Sequence, residues 1–296
     1  MQDDFKVLSV GGAGRFAGMV VPELARRGVF VRAMVRGEAE ARQARANGAA
    51  ETVEADLRDP ASLDRAVRGV RGVFHIGPVF AADEAQMGLN IVAAARRADV
   101  RKFVFSSVIQ PTNADLGNHA SKIPVETALF ASGMEYTILQ PANLFQNLAA
   151  AWPAIAAHGQ YVESTPVDRP LARVDYRDVA EVAAIALTGD RLAHGTFELC
   201  AEGMWTRAQI GEMAARALRR PVRVAQLGFE EWAERVALPL DARERGQLAA
   251  VHAYIGEHGM SGNSLVLRAI LGRPARSMQA YVEELAAARR DGGDLC

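Results

Sequence analysis

The feature that most constrains this chain is a short apolar run that ends in a glycine-rich turn and passes straight into an amphipathic stretch. Lys6–Val10 (KVLSV) reads as a buried strand, and GGAGRFAG follows at residues 11–18. Apolar residues then recur at helical spacing through Gly18–Arg27 and stop at Gly28. In the turn, Gly11 permits a sharp reversal and Gly14 omits a Cβ where the backbone must approach a ligand. Ala17 is small enough for helix and strand to pack closely. A helix starting there offers free N–H groups and a partial positive charge to an anion. Arg15 and Phe16 complete the turn.

The same alternation repeats. Strand-like runs at Val29–Val35, Glu51–Glu54, Gly72–Ile76, Lys102–Ser107 and Glu135–Leu139 are separated by helical patterns at Ala39–Ala46, Ala61–Val67, Glu84–Ala98 and Lys122–Ala131. Six strands with intervening helices predict an α/β fold, a doubly wound parallel Rossmann sheet with right-handed crossovers. After Pro141 the pattern changes. Asn143–Ala157 is apolar and aromatic and leaves the sheet, Asp175–Leu187 reads as a helix, and Gly195–Leu199 as a strand rejoining the sheet edge. Helical segments dominate from Thr206 onward. The expected organisation is a dinucleotide-binding domain over residues 1–150, with 171–200 returning to it. A smaller, mostly helical substrate or cap domain over 201–296, with 151–170 contributing, completes it.

Composition narrows the classes. A net charge of -1 supplies no general attraction for nucleic acid or anionic membrane. No apolar run approaches the roughly 20 residues of a membrane span, and the acidic start (Asp3, Asp4) is unlike a signal peptide. Two cysteines, Cys200 and Cys296, build neither a disulfide framework nor a Cys-based metal site. A cytoplasmic protein is the expectation, with no nucleic-acid or membrane partner. Of 34 basic residues only Lys6, Lys102 and Lys122 are lysine.

The end of the second strand bears on the cofactor. An NAD(H) site typically places an acid there to hold the ribose 2′-hydroxyl, whereas this chain has Arg36, with Arg15 in the turn as a second cation. Arginine's planar donor fork suits a 2′-phosphate, so NADP(H) is the first choice. NAD(H) is the second, and Glu38 close by is the feature that favours it.

With these residues in view, the chain resembles the NmrA-like branch of atypical short-chain dehydrogenases, nearly end to end. The segments that carry the likeness are GGAGRFAG (11–18), VRAMVRG (31–37), EADLRDPASL (54–63), VRKFVFSSV (100–108), HASKIPVE (119–126), SGMEYTILQPANLFQNL (132–148) and HGMSGNSLVLRAILGRPARS (258–277). The resemblance implies that Gly11, Gly14, Arg15 and Phe16 line the pyrophosphate and that Arg36 meets the 2′-phosphate. It also implies that Asp56 and Leu57 flank the adenine and that Gly77 and Pro78 pass beneath the ribose. Lys122 would reach the nicotinamide ribose, with Pro141, Ala142 and Asn143 bordering the nicotinamide. The family usually has a basic residue where this chain has Gln140, and Ala-Thr is commoner than Gly12-Ala13.

Catalysis needs separate consideration. None of Tyr136, Tyr161, Tyr176, Tyr254 and Tyr281 has lysine four residues later, and Asn118 stands four before Lys122. The Tyr-x-x-x-Lys proton relay of ordinary short-chain dehydrogenases is therefore absent. Lys122 and His119 remain as candidates, to orient the ribose or move a proton, against a plainer role for His119 as a helix cap. His75 reads as a packed strand residue, and no metal site is expected. Phe80, Phe145 and Trp152, with Trp205 and Trp232, could line a site for a flat aromatic ligand or could belong to the core. Three functions stay open. One is an NADP(H)-dependent reductase of a quinone or other conjugated aromatic, which can take its proton from water. The others are a non-catalytic NADP(H) sensor with a protein partner and a tailoring enzyme, reductase or oxygenase, of aromatic polyketide biosynthesis.

Overall fold

The computed structural model describes residues 5–290; Asp3, Asp4 and Cys296 lie outside them. Among the described residues twelve strands occur in chain order: β1 Lys6–Val10, β2 Phe30–Val35, β3 Glu51–Glu54, β4 Gly72–Ile76, β5 Lys102–Ser106, β6 Glu135–Pro141, β7 Asn143–Leu144, β8 Gln160–Glu163, β9 Leu171–Val174, β10 Gly195–Leu199, β11 Met204–Trp205 and β12 Arg223–Gln226. Seven form one sheet in the order β10-β6-β5-β4-β1-β2-β3. The pairs β1–β2, β2–β3, β1–β4, β4–β5 and β5–β6 are parallel. The order reverses at β1, where β2 lies on one side and β4 on the other, and such a reversal opens a crevice beyond the strand carboxyl ends. The fold is therefore the doubly wound α/β sheet that the alternation predicts.

The strands read as nearly unbroken apolar runs because helices cover both faces. On one side, Leu8, Val10, Val73, Phe103, Phe105 and Ile138 pack against Leu63, Ile91, Val92, Val125 and Leu129 of three flanking helices. The helix Pro60–Ala66 starts where Asp59 accepts a hydrogen bond from the Ala61 N–H at 3.0 Å, with proline in its first turn.

The chain divides into two compact units. The first runs through Ala114 and adds Asn118–Pro141 and Tyr176–Glu198; the second holds Asp115–Gly117, Ala142–Asp175 and the chain from Leu199. The second unit is built mainly of helices, but it also contains a three-stranded sheet, β11-β9-β7, and a parallel pair, β12-β8. Its core gathers Phe145, Trp152, Tyr161, Ile210, Met213, Val282 and Leu285. No helix among the described residues is long and apolar enough to cross a membrane.

Candidate functional site

The glycine turn of the first unit has the conformation its residues demand. Gly11 adopts φ +68°, in the left-handed region that side chains avoid, and the Gly14 N–H closes the turn on the Gly11 carbonyl at 2.7 Å. The following helix, Ala17–Arg26, has no side-chain cap at Phe16 and no acid in its first turn. Its N-terminal field is thus undiminished by a carboxylate, the arrangement an anionic ligand needs. The Phe16 ring lies 4.8 Å from the buried ring of Tyr176, whose hydroxyl donates to Ser106 Oγ at 3.0 Å. Burial raises the Tyr176 phenol well above its ordinary value, more than the Ser106 hydrogen bond lowers it, so it is a packed anchor for the turn. Arg15 is exposed, with its guanidinium 5.4 Å from the Phe16 ring centre.

Arg36 follows β2 with 84% of its side chain exposed. Its backbone N–H and its Nε each donate to Glu40, both at 2.8 Å. Burial pulls the Glu40 carboxyl upward, but the bonds and charge of Arg36 together outweigh it and hold the carboxyl below the usual range. Glu38, which favours NAD(H) in the sequence, lies 3.5 Å from Arg45. Asp56 is exposed after β3 and accepts from the Arg58 N–H at 2.8 Å, whereas Leu57 packs partly against the core.

The carboxyl ends of β4, β5 and β6 are in register: Ile76 pairs with Ser106, and Ser106 with Leu139. Gly77, Ser107 and Gln140 therefore follow side by side. Gly77 has a steric reason to be glycine, since a Cβ there would stand 2.6 Å from Glu84 Oε1. Pro78 is exposed, and Phe80, half-buried, takes φ +68°. Lys122 is buried at the start of the helix Ile123–Phe130 and donates to Glu84 Oε1. Ser121 Oγ donates to the other oxygen of that carboxylate at 3.0 Å. Beneath lies a second buried group: Ser107 Oγ and Gln140 Nε2 donate to Glu126 Oε1 at 2.5 and 3.0 Å. Gln140, the departure from the family pattern, thus meets the carboxylate with a neutral amide.

His119 is buried with Nδ1 3.4 Å from the Gln110 carbonyl. Burial lowers its basicity, against hydrogen bonds to Gln110 and Ile109 that raise it, and the Lys122 charge lowers it further. His75 is buried, stacked on Phe105 at 5.5 Å, and brought down to about 3 by burial and then by the Lys122 charge.

The remaining sequence candidates are divided between the two units. Pro141 closes β6, and its carbonyl accepts from the Ile109 N–H at 3.0 Å. In the second unit, Ala142 N–H donates to Leu199 O at 3.0 Å, and Asn143 Oδ1 accepts from Arg173 at 2.7 Å. Phe145 is fully buried 5.7 Å from Tyr281, and Trp152 is buried with its indole N–H donating to Leu285 O at 3.1 Å. Both side chains lie in the core cluster of that unit. The residue that sequence patterning missed is Glu84. An acid in a helix's first turn looks like an ordinary complement to the helix dipole, and nothing local says that it reaches Lys122.

The sequence matches the NmrA-like family over residues 3–284. This chain belongs to that family. Among the NmrA-like chain's relatives is the NAD(P)H azoreductase of Xenophilus azovorans, 28% identical, with 95% of this chain and 98% of the relative aligned. A (4-alkanoyl-5-oxo-2,5-dihydrofuran-3-yl)methyl phosphate reductase of Streptomyces griseus is 31% identical, with the same 95% and 98% coverage. The NADPH-dependent quinone oxidoreductase of Escherichia coli, solved in complex with NADPH, shares the fold with a TM-score of 0.82. It is 24% identical, with 95% of the NmrA-like chain and 99% of that structure covered.

Proposed function

We propose that this protein is an NADP(H)-dependent oxidoreductase that reduces a quinone or another flat, conjugated acceptor without a tyrosine acid. The observation that carries the reading is the first unit's ligand edge. An uncapped helix N-terminus behind a left-handed glycine, an exposed arginine after β2 and a buried lysine all lie at strand carboxyl ends. When bound, a nicotinamide cofactor supplies the hydride. The turn at Gly11 and Gly14 holds its pyrophosphate, and Arg36, giving up part of its pairing with Glu40, meets the 2′-phosphate. Asp56 and Leu57 flank the adenine, and Gly77 and Pro78 underlie the ribose. Lys122 donates to the nicotinamide ribose, with Pro141 beside the ring. Lys122 has three N–H donors and spends one on Glu84, so donors remain for ribose hydroxyls.

The acceptor follows from the missing acid. Tyr176 is buried and bonded to Ser106, and His119 is buried with depressed basicity. A quinone accepts hydride at one end of a conjugated system and then takes a proton from water, so placing it against the cofactor is most of the task. Two relatives with near-complete coverage are named as an NAD(P)H azoreductase and as the reductase of an oxo-dihydrofuran, which supports a reductase of conjugated acceptors without naming this chain's substrate.

The test is oxidation of NADPH by purified protein with menadione, azo dyes and enones, followed by absorbance of the reduced cofactor. Turnover is expected, with Lys122→Ala lowering kcat/KM by at least tenfold. No oxidation with any acceptor would remove the reductase reading, and tight cofactor binding without turnover would favour a sensor.

A further inference from the structure

Three segments converge on the Glu84 carboxylate. It begins the helix Glu84–Arg97 and is 4% exposed; Lys122, 8% exposed, donates to Oε1, and Ser121 Oγ donates to Oε2 at 3.0 Å. The loop after β4 lies so close that a Cβ at residue 77 would stand 2.6 Å from Oε1. The other titratable groups around Lys122 do not share its charge. His75 of β4 is neutral at pH 7, since burial and the Lys122 charge hold it near 3, and His119, in the short helix Gly117–Ala120, is likewise depressed by burial. Glu126, one turn along the helix from Lys122, is occupied by Ser107 and Gln140.

We infer that Glu84 is the positioning residue for Lys122: it engages the buried ammonium and fixes it where the nicotinamide ribose binds. This rests on the cofactor-binding reading above. A buried ammonium without its carboxylate is poorly solvated and surrenders its proton more readily. The consequence is a pH dependence that loss of packing alone does not produce.

The measurement is NADPH affinity by cofactor fluorescence between pH 7 and 9.5, above the titration of the 2′-phosphate. For the wild type a nearly flat profile is expected. The NADPH affinity of Glu84→Gln should fall at least tenfold between pH 7 and pH 9.5. Lys122→Ala should be weak throughout, and adding Glu84→Gln to it should bring no slope. Glu84→Asp keeps the charge, and its profile should be as flat as the wild type's, so the inference can still be overturned where the Gln variant does not fold. A Glu84→Gln profile parallel to the wild type's, or a steep Glu84→Asp profile, would overturn the inference. No NADPH binding by the wild type at any pH would instead overturn the cofactor reading on which it rests.

Discussion

Each of the three lysines in this arginine-rich chain sits against a carboxylate. Lys6 is 2.9 Å from Glu51, Lys102 is 2.8 Å from Glu135 and 2.7 Å from Asp190, and Lys122 meets Glu84. Lys102 and Lys122 are buried, where a compact ammonium with three donors is easier to satisfy than a guanidinium with five. Their scarcity was legible in the sequence; their partners, 33 to 88 residues away, were not. His75 supplies a residue-scale prediction. Its folded value is about 3, below the ordinary value near 6.5, and its Nδ1 has no hydrogen-bond partner. Between those values the unfolded chain binds a proton that the folded chain refuses, so stability falls as pH drops below about 6.5. The single histidine accounts for about 2 kcal/mol between pH 7 and pH 5. Urea unfolding at the two pH values should show that increment missing in His75→Phe, which keeps a ring against Phe105. An unchanged pH response in the variant would show that His75 is not buried neutral.

Elements differ in how openly their sequences declare them. β1, the glycine turn and the first helix are legible because a left-handed φ at Gly11 and continuous burial along β1 leave few residue types free to serve. The helix Arg207–Leu218 is similarly explicit. Thr206 Oγ1 accepts from the Gln209 N–H at 3.1 Å, and the Gln209 side chain accepts from the Thr206 N–H at 3.0 Å. Thr206→Ala should therefore cost about 1 kcal/mol in chemical denaturation; a loss below about 0.3 kcal/mol would mean that packing alone holds this helix end. By contrast β8 and β12 are four-residue strands paired across some 60 residues, Gln160 to Arg223, with no apolar alternation to announce them. The aromatic stretch after Pro141 was ambiguous for another reason. A buried core face and an apolar ligand pocket select the same residue types, and the contacts of Phe145 with Tyr281 and of Trp152 with Leu285 lie far away in the sequence. Glu84 was hidden by the opposite effect, a familiar local role masking a long-range one.

At the scale of the whole molecule, the account rests on the first unit, where the parallel sheet brings the glycine turn, Arg36, Gly77 and Lys122 to strand carboxyl ends. A ligand that binds only the folded state stabilises it in proportion to the logarithm of its concentration, so cofactor binding can be read even without an acceptor. The most direct test is to titrate the wild type and Arg36→Ala with NADPH, NADP⁺, NADH and NAD⁺ at fixed pH and salt. The account predicts binding of the phosphorylated pair at least tenfold tighter than of the other two, with most of that preference lost in Arg36→Ala. Equal affinities for all four in the wild type would contradict the role given to Arg36, and binding of none of them would contradict the central claim that this unit is a dinucleotide site.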